Sequence, residues 1–174
     1  MSEITLDQLL ASRDRRVERQ AALLEGNPGS TLICLTVQFP GRVKRTPESL
    51  IVAEEGVNAL LDTFGSSVRL LRKFDPETGF EAYMLVDKPS SEAKKATCGI
   101  ENSHPLGRLM DIDVIVLSEN GPVPLSREDF GFPPRLCLLC NSPVRECMRK
   151  GNHSKEELIE AMNRMVSSYC HNKN

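Results

Sequence analysis

The chain has 174 residues, 40% hydrophobic and 26% charged, with a formal net charge of −2. That length suits one domain with a real hydrophobic core, and the composition excludes a disordered chain. Near-neutrality removes any overall field for nucleic acid or an anionic membrane, and with 5% aromatic residues and no tryptophan a base-stacking groove is not expected.

Met1-Ser-Glu-Ile-Thr5 lacks a basic and then apolar leader pattern, and no apolar run approaches the ~18 residues of a membrane span. The expected location is therefore the cytoplasm. Six cysteines should stay reduced there, so their clustering toward the C-terminus points to metal or packing rather than disulfides.

Thr5-Leu-Asp-Gln8 reads as a capping box, with Ile4 and Leu9 placed as a hydrophobic staple. Leu6, Leu9, Leu10, Val17, Ala21 and Leu24 follow helical spacing until Gly26 and Pro28 stop the helix. Its charged middle, Ser12 to Gln20, fits a solvated face, or alternatively a helix whose Arg13 and Arg16 reach a polyphosphate. Thr31, Ile33, Leu35 and Val37 alternate as in a strand that ends at Pro40-Gly41. Thr46-Pro47 opens a second helix, with Leu50, Ile51, Val57, Leu60, Leu61 and Phe64 inward and Gly65 closing it. Val68–Phe74 and Phe80–Val86 read as a hairpin around Asp75-Pro-Glu-Thr-Gly79, and Pro89-Ser90 starts a third helix through about Ile100. The run Leu109–Leu117 is a strand, followed by a loop over Ser118–Pro124. Ser142-Pro143 and the capping box Ser154-Lys-Glu-Glu157 then open two helices, the second with Leu158, Ile159, Met162, Met165, Val166 and Tyr169 inward.

The expected fold class is α+β. Residues from about 30 to 117 spell βαββαβ, the order of a ferredoxin-like unit and of polymerase-type palms, preceded by a helix and followed by a Cys-rich helical segment. Residues 1–174 are expected to form a single domain.

Asp111 and Asp113 lie two apart in an apolar strand, so both carboxylates share one face while Met110, Ile112, Val114 and Val116 take the other. Each buried charge costs several kcal/mol without a partner, and a divalent metal is one partner that makes such a pair favourable. An exposed edge strand with its polar face in water fits the same pattern. Gly107 and Arg108 just upstream offer close backbone approach and a phosphate-seeking guanidinium. Arg127, Arg135 and Arg149 near the proline turns suit phosphate as well, although each alone also fits an ordinary surface arginine. His104, before a proline, fits either a general base or a hydrogen-bonded loop histidine.

Cys137-x2-Cys140-x6-Cys147-x5-His153 supplies four soft ligands for tetrahedral zinc, though packing cysteines would also account for the Cys-Leu-Leu-Cys run. Cys34 and Cys98 read as core residues. No Walker A loop, Gly-x-Gly-x-x-Gly, Gly-x-Ser-x-Gly or His-Glu-x-x-His is present, which removes the commonest nucleotide, cofactor and hydrolase signatures.

His104-Pro-Leu-Gly-Arg-x-x-Asp-Ile-Asp-Val114, Pro-Pro-Arg135-x-Cys-Leu-x-Cys140, a third cysteine, Arg149 and His153 together resemble the apo-citrate lyase phosphoribosyl-dephospho-CoA transferases, the holo-citrate lyase synthases. Ser12-Arg13-Asp14-x-Arg16-x-x-x-Gln20 and Thr36-Val37-x-x-Pro40-Gly41 match the same family, so the likeness runs through nearly the whole chain. Residues 42 to 95 contribute no distinctive motif.

The resemblance implies a nucleotidyltransferase-like enzyme. Its donor would be 2'-(5-triphosphoribosyl)-3'-dephospho-CoA and its acceptor a serine of the acyl carrier protein subunit of citrate lyase, with pyrophosphate released. On that reading Asp111 and Asp113 hold Mg²⁺, and Arg108 contacts the triphosphate. His104 is a further catalytic candidate, and Gly107, Arg13, Arg16, Arg135 and Arg149 are candidates for binding the substrate. Cys137, Cys140, Cys147 and His153 form the candidate zinc set. The rival from another class is a zinc-stabilised module that binds the carrier protein without catalysis, and neither reading involves nucleic acid or a membrane.

Overall fold

The computed structural model describes residues 3–173. Helix α1 (Leu6–Gly26) starts at the expected capping box, in which the Thr5 side chain accepts from the Gln8 N–H and Gln8 Oε1 accepts from the Thr5 N–H. Strand β1 (Thr31–Val37), helix α2 (Pro47–Phe64), strands β2 (Val68–Phe74) and β3 (Glu81–Val86), helix α3 (Ser90–Ser103) and strand β4 (Met110–Ser118) follow. A short edge strand β5 (Gly121–Pro124) and helices α4 (Val144–Lys150) and α5 (Lys155–Lys173) complete the chain. The class is α+β, with one five-stranded sheet in the order β2-β3-β1-β4-β5 whose neighbouring strands are all antiparallel.

Two apolar layers sandwich the sheet. The larger sets Ile33 and Leu35 of β1, Met84 of β3 and Met110, Ile112 and Val114 of β4 against α2, α3 and α5. The smaller sets Leu32, Cys34, Tyr83, Leu85 and Ile115 against Leu23 and Leu24 of α1. Period-two alternation thus serves two cores at once in the central strands.

Two expectations change. The segment after β4 is not a plain loop, because Gly121–Pro124 pairs with Ile115–Ser118. Its two prolines are tolerated since it is the sheet's outermost strand and needs no donors on its open side. In α1 the apolar spacing misleads: Leu6, Leu10 and Val17 are exposed, whereas Ser12 and Gln20 are buried and Arg16 and Arg19 turn inward. A buried carboxylate on β3 reorients this helix, so ion pairing overrides the apolar stripe. Among the described residues no helix is long and apolar enough to cross a membrane.

Candidate active site

The face of the sheet under α1 carries two polar rows. Thr36 of β1 lies between Glu81 of β3 and Asp111 of β4, and Cys34 lies between Tyr83 and Asp113. Both aspartates are half-buried, while Met110, Ile112 and Val114 on the reverse face are buried, as the alternation requires. Burial first and then the neighbouring Asp111 charge push the Asp113 carboxyl up to about 6. The pair therefore holds unfavourable electrostatic energy near neutral pH, which a cation with oxygen preference would relieve.

Where β4 runs beyond β5, its edge is finished by side chains. The Ile112 N–H donates to Glu101 Oε1 at 2.9 Å, and Arg135 Nη2 donates to the Met110 carbonyl at 2.5 Å. Arg135 Nη2 also meets Glu101 Oε1 at 2.5 Å, and its Nη1 lies 3.6 Å from Asp111 Oδ1. Arg127 approaches the second oxygen of Glu101 at 3.7 Å. Burial raises the Glu101 carboxyl, opposed chiefly by the Arg135 charge. Arg135 is thus fixed in place by a buried carboxylate and a backbone carbonyl, with one nitrogen left facing the aspartates.

On the far side of the polar face, Glu81 is 1% exposed. It takes Arg16 at 3.1 Å, Arg19 at 3.0 Å and the Tyr83 hydroxyl at 2.6 Å. Arg16 therefore stands on the same face as the aspartates, committed to Glu81. Burial pushes the Cys34 thiol beneath it up to about 12, with Asp113 adding to the effect, so this cysteine is a neutral packing group.

The remaining candidates are dispersed. Arg108 is exposed and its Nη2 donates to the Leu136 carbonyl at 2.5 Å, tying the turn before β4 to the segment that carries Arg135. Gly107 is buried, and a Cβ there would stand 2.5 Å from the Glu101 carbonyl oxygen and 2.7 Å from that of Ile100. The end of α3 is what demands glycine at this position. His104 accepts the Leu106 N–H on Nδ1 at 3.0 Å and lies 5.7 Å from the Tyr169 ring of α5. Burial lowers its imidazole, and its charged neighbours are Glu55 and Lys173. Those contacts belong to the α2–α5 side of the sheet, whereas the aspartates lie under α1. Arg13 and Arg149 are exposed, and neither makes an ion pair among the described residues.

Cys137, Cys140, Cys147 and His153 gather, with one ligand atom from each all within 4.8 Å of one another. This cluster could bind a metal ion. The His153 imidazole beside Cys140 holds that thiol down to about 6, while burial and its two thiol neighbours push Cys147 up to about 12.

Reasoning from the sequence missed Glu81 and Glu101. Glu81 was discoverable, because it alternates with Tyr83 and Leu85 in an apolar strand and so raises the same question as Asp-x-Asp. Glu101 sits on the buried stripe of α3 with Ala93, Thr97 and Cys98, a weaker sign.

Comparison with known proteins decides the family. The model of the apo-citrate lyase phosphoribosyl-dephospho-CoA transferases matches residues 4–169. The chain belongs to this family. A probable apo-citrate lyase phosphoribosyl-dephospho-CoA transferase of Streptococcus pyogenes serotype M18 is 35% identical over 98% of this chain and 90% of its own. The transferase of that name from Citrobacter koseri is 36% identical over 94% of this chain and 88% of its own, and that from Escherichia coli O1:K1 is 35% identical over 94% and 89%. The transferase match spans α1, the two polar rows, Arg135 and the cysteine cluster.

Proposed function

We propose that this chain transfers the prosthetic-group precursor 2'-(5-triphosphoribosyl)-3'-dephospho-CoA to a serine of the apo acyl carrier protein subunit of citrate lyase. Membership of the transferase family over residues 4–169 is the observation that carries this reading. The serine oxygen forms a bond to the α-phosphorus of the donor, and the bond from that phosphorus to the bridging oxygen breaks. Pyrophosphate leaves, and the serine proton passes to a base.

Asp111 and Asp113 would hold Mg²⁺. Their fit rests on two oxygen-donor carboxylates sharing one strand face, one of them pushed up to about 6 by burial and by the other's charge. Bound there, the ion would supply positive charge to a triphosphate and its attacking hydroxyl. The chain's own residues do the positioning. Glu101 and the Met110 carbonyl hold the Arg135 guanidinium rigid beside Asp111, which suits it to a phosphoryl oxygen without reorganisation. Arg16 stands on the same sheet face, committed to Glu81, and exposed Arg108, Arg13 and Arg149 are available to the outer phosphates or the carrier protein.

The chain order β1-α2-β2-β3-α3-β4 and the strand order β2-β3-β1-β4 support a ferredoxin-like, palm-like core for this transferase, with β5 added at one edge. Residues 1–174 are read as one nucleotidyltransferase-like domain, working in the cytoplasm where its cysteines remain thiols.

The test is incubation of the chain with apo carrier protein, the triphosphoribosyl donor and Mg²⁺. The carrier protein should gain the mass of the prosthetic group, and Asp111→Ala or Asp113→Ala should abolish that gain. Binding of the carrier protein without mass gain would instead establish the non-catalytic module.

A further inference from the structure

A cluster of potential metal ligands lies in the segment between β5 and α5. Cys147 Sγ lies 3.4 Å from Cys137 Sγ and 3.8 Å from Cys140 Sγ. Thiolates bound to tetrahedral zinc at ~2.3 Å stand about 3.8 Å apart, whereas a disulfide would bring sulfurs to about 2.0 Å. Cys137 and Cys147 are buried, while Cys140 and His153 are half-buried. His153 completes it, and its buried Nε2 has no hydrogen-bond partner among the described residues. A buried polar nitrogen without a partner costs free energy that a metal bond or hydrogen bond recovers.

Two left-handed residues, Asn141 and Gly151, shape the backbone around the cluster. Asn141 adopts φ 55°, the one positive φ outside glycine among the described residues, directly after Cys140. Asparagine tolerates that left-handed turn, which brings the Ser142 carbonyl back to accept the Cys137 N–H at 2.6 Å. The Leu139 N–H donates to Cys137 Sγ at 3.5 Å. Gly151, at φ 61°, ends α4 after Cys147 and turns the chain toward His153.

We propose that Cys137, Cys140, Cys147 and His153 bind one structural zinc ion, and that this zinc knuckle is the mount that holds Arg135 against β4. All four positions are filled by protein ligands, so no site is left for a water or substrate, which marks a structural centre. The link to Arg135 is short. The Val144 N–H donates to the Arg135 carbonyl at 2.8 Å, and Leu136 and Pro143 form an isolated antiparallel bridge inside the cysteine loop. This small loop has little apolar core of its own, with Leu136 and Leu139 exposed, so the metal supplies the cross-link that fixes it.

The test uses the full chain, purified without a histidine tag. Native mass spectrometry and elemental analysis should find one zinc per chain. Cobalt(II) added to chain stripped of metal should give the visible ligand-field bands of a tetrahedral thiolate site, and zinc should abolish them. Hydrogen exchange provides the readout on the mount. Stripping the metal should deprotect the Cys137 and Val144 amides at least tenfold, while amides in β1 and β3 keep their protection. His153→Ala and Cys140→Ser should lower zinc retention. Absence of both zinc and the cobalt bands would overturn the site, as would variants retaining zinc like the wild type. Unchanged protection at Cys137 and Val144 after stripping would overturn the mount.

Discussion

Arg135 Nη1 lies 3.6 Å from Asp111 Oδ1 while the same guanidinium is bound by Glu101. One arginine thereby joins three parts of the chain: the cysteine loop, the end of α3 and the polar face of β4. Only the fork of a guanidinium satisfies the Met110 carbonyl and Glu101 while leaving a nitrogen toward Asp111. Arg135→Met should leave Glu101 a buried carboxylate that keeps the Ile112 N–H but has only the more distant Arg127 as counter-charge. Breaking such a pair costs about 3–5 kcal/mol, and a urea titration would measure the loss. Arg135→Lys keeps the charge without the fork and should fall between wild type and methionine. Equal midpoints for Arg135→Met and wild type would remove Arg135 as the anchor of this edge.

Asp113 offers a prediction in which stability and activity move in opposite directions. Burial and the Asp111 charge push its folded carboxyl up to about 6, above the ~4 of an unfolded aspartate. The native state therefore binds the proton more tightly, and stability declines as pH rises from about 4 to about 6, then stays at the lower level. In metal-free protein at pH 7.5, Asp113→Asn should be more stable than wild type, by at most about 3 kcal/mol at ~1.4 kcal/mol per pKa unit. The difference should shrink toward pH 4. The same variant should lose prosthetic-group transfer, and added Mg²⁺ should narrow the stability gap by stabilising only the wild type. Thermal melts across pH would decide it, with a less stable Asp113→Asn counting against the strained pair.

Two glycines near one another in sequence should respond oppositely to alanine. At Gly107 the new methyl would meet backbone carbonyls at 2.5 and 2.7 Å, and backbone at a helix end cannot yield as a side chain can. Gly107→Ala should cost about 2–4 kcal/mol. At Gly99, inside α3, a Cβ meets nothing within 4 Å. Gly99→Ala should therefore stabilise the protein by about 0.5–1 kcal/mol through helix propensity. Denaturation midpoints of both variants check the pair.

Glu81 is the third carboxylate of the polar face, and Arg16, Arg19 and Tyr83 surround it. Glu81→Gln keeps the shape and removes the charge, leaving two half-buried arginines without their counter-ion. The expected loss is about 2–3 kcal/mol, accompanied by loosening of α1, which tryptic cleavage within Ser12–Gln20 would report. Wild-type resistance in that stretch would show that α1 docks through its leucines alone.

Much of this architecture was legible in the chain. Capping boxes at Thr5 and Ser154, the proline start of α2 and the alternation in β1 and β4 are local signals, and the structure realises each. The shared face of Asp111 and Asp113 follows from strand geometry alone, and the Cys137–Cys140–Cys147–His153 spacing foretold a cluster that does assemble.

The inward turn of Arg16 and Arg19 was not legible. Helical periodicity ranks faces by apolar content, and here one buried carboxylate on a distant strand outweighs three exposed apolar side chains. The pairing of β5 was hidden by its prolines, which signal a loop unless the strand is known to lie at an edge. Glu101 and Arg135 meet only because α3 and the cysteine loop approach the same uncovered stretch of β4.

The sequence by itself determined the elements, the polar face of β4, the metal-ligand spacing and, through its motifs, the family. Those are set by residues a few positions apart, whose geometry the backbone period fixes. Tertiary structure alone decided which arginine stands beside Asp111, which carboxylates anchor it and why Gly107 must lack a side chain. Each of these is a contact between segments far apart in the chain, and its energy exists only once the sheet has closed.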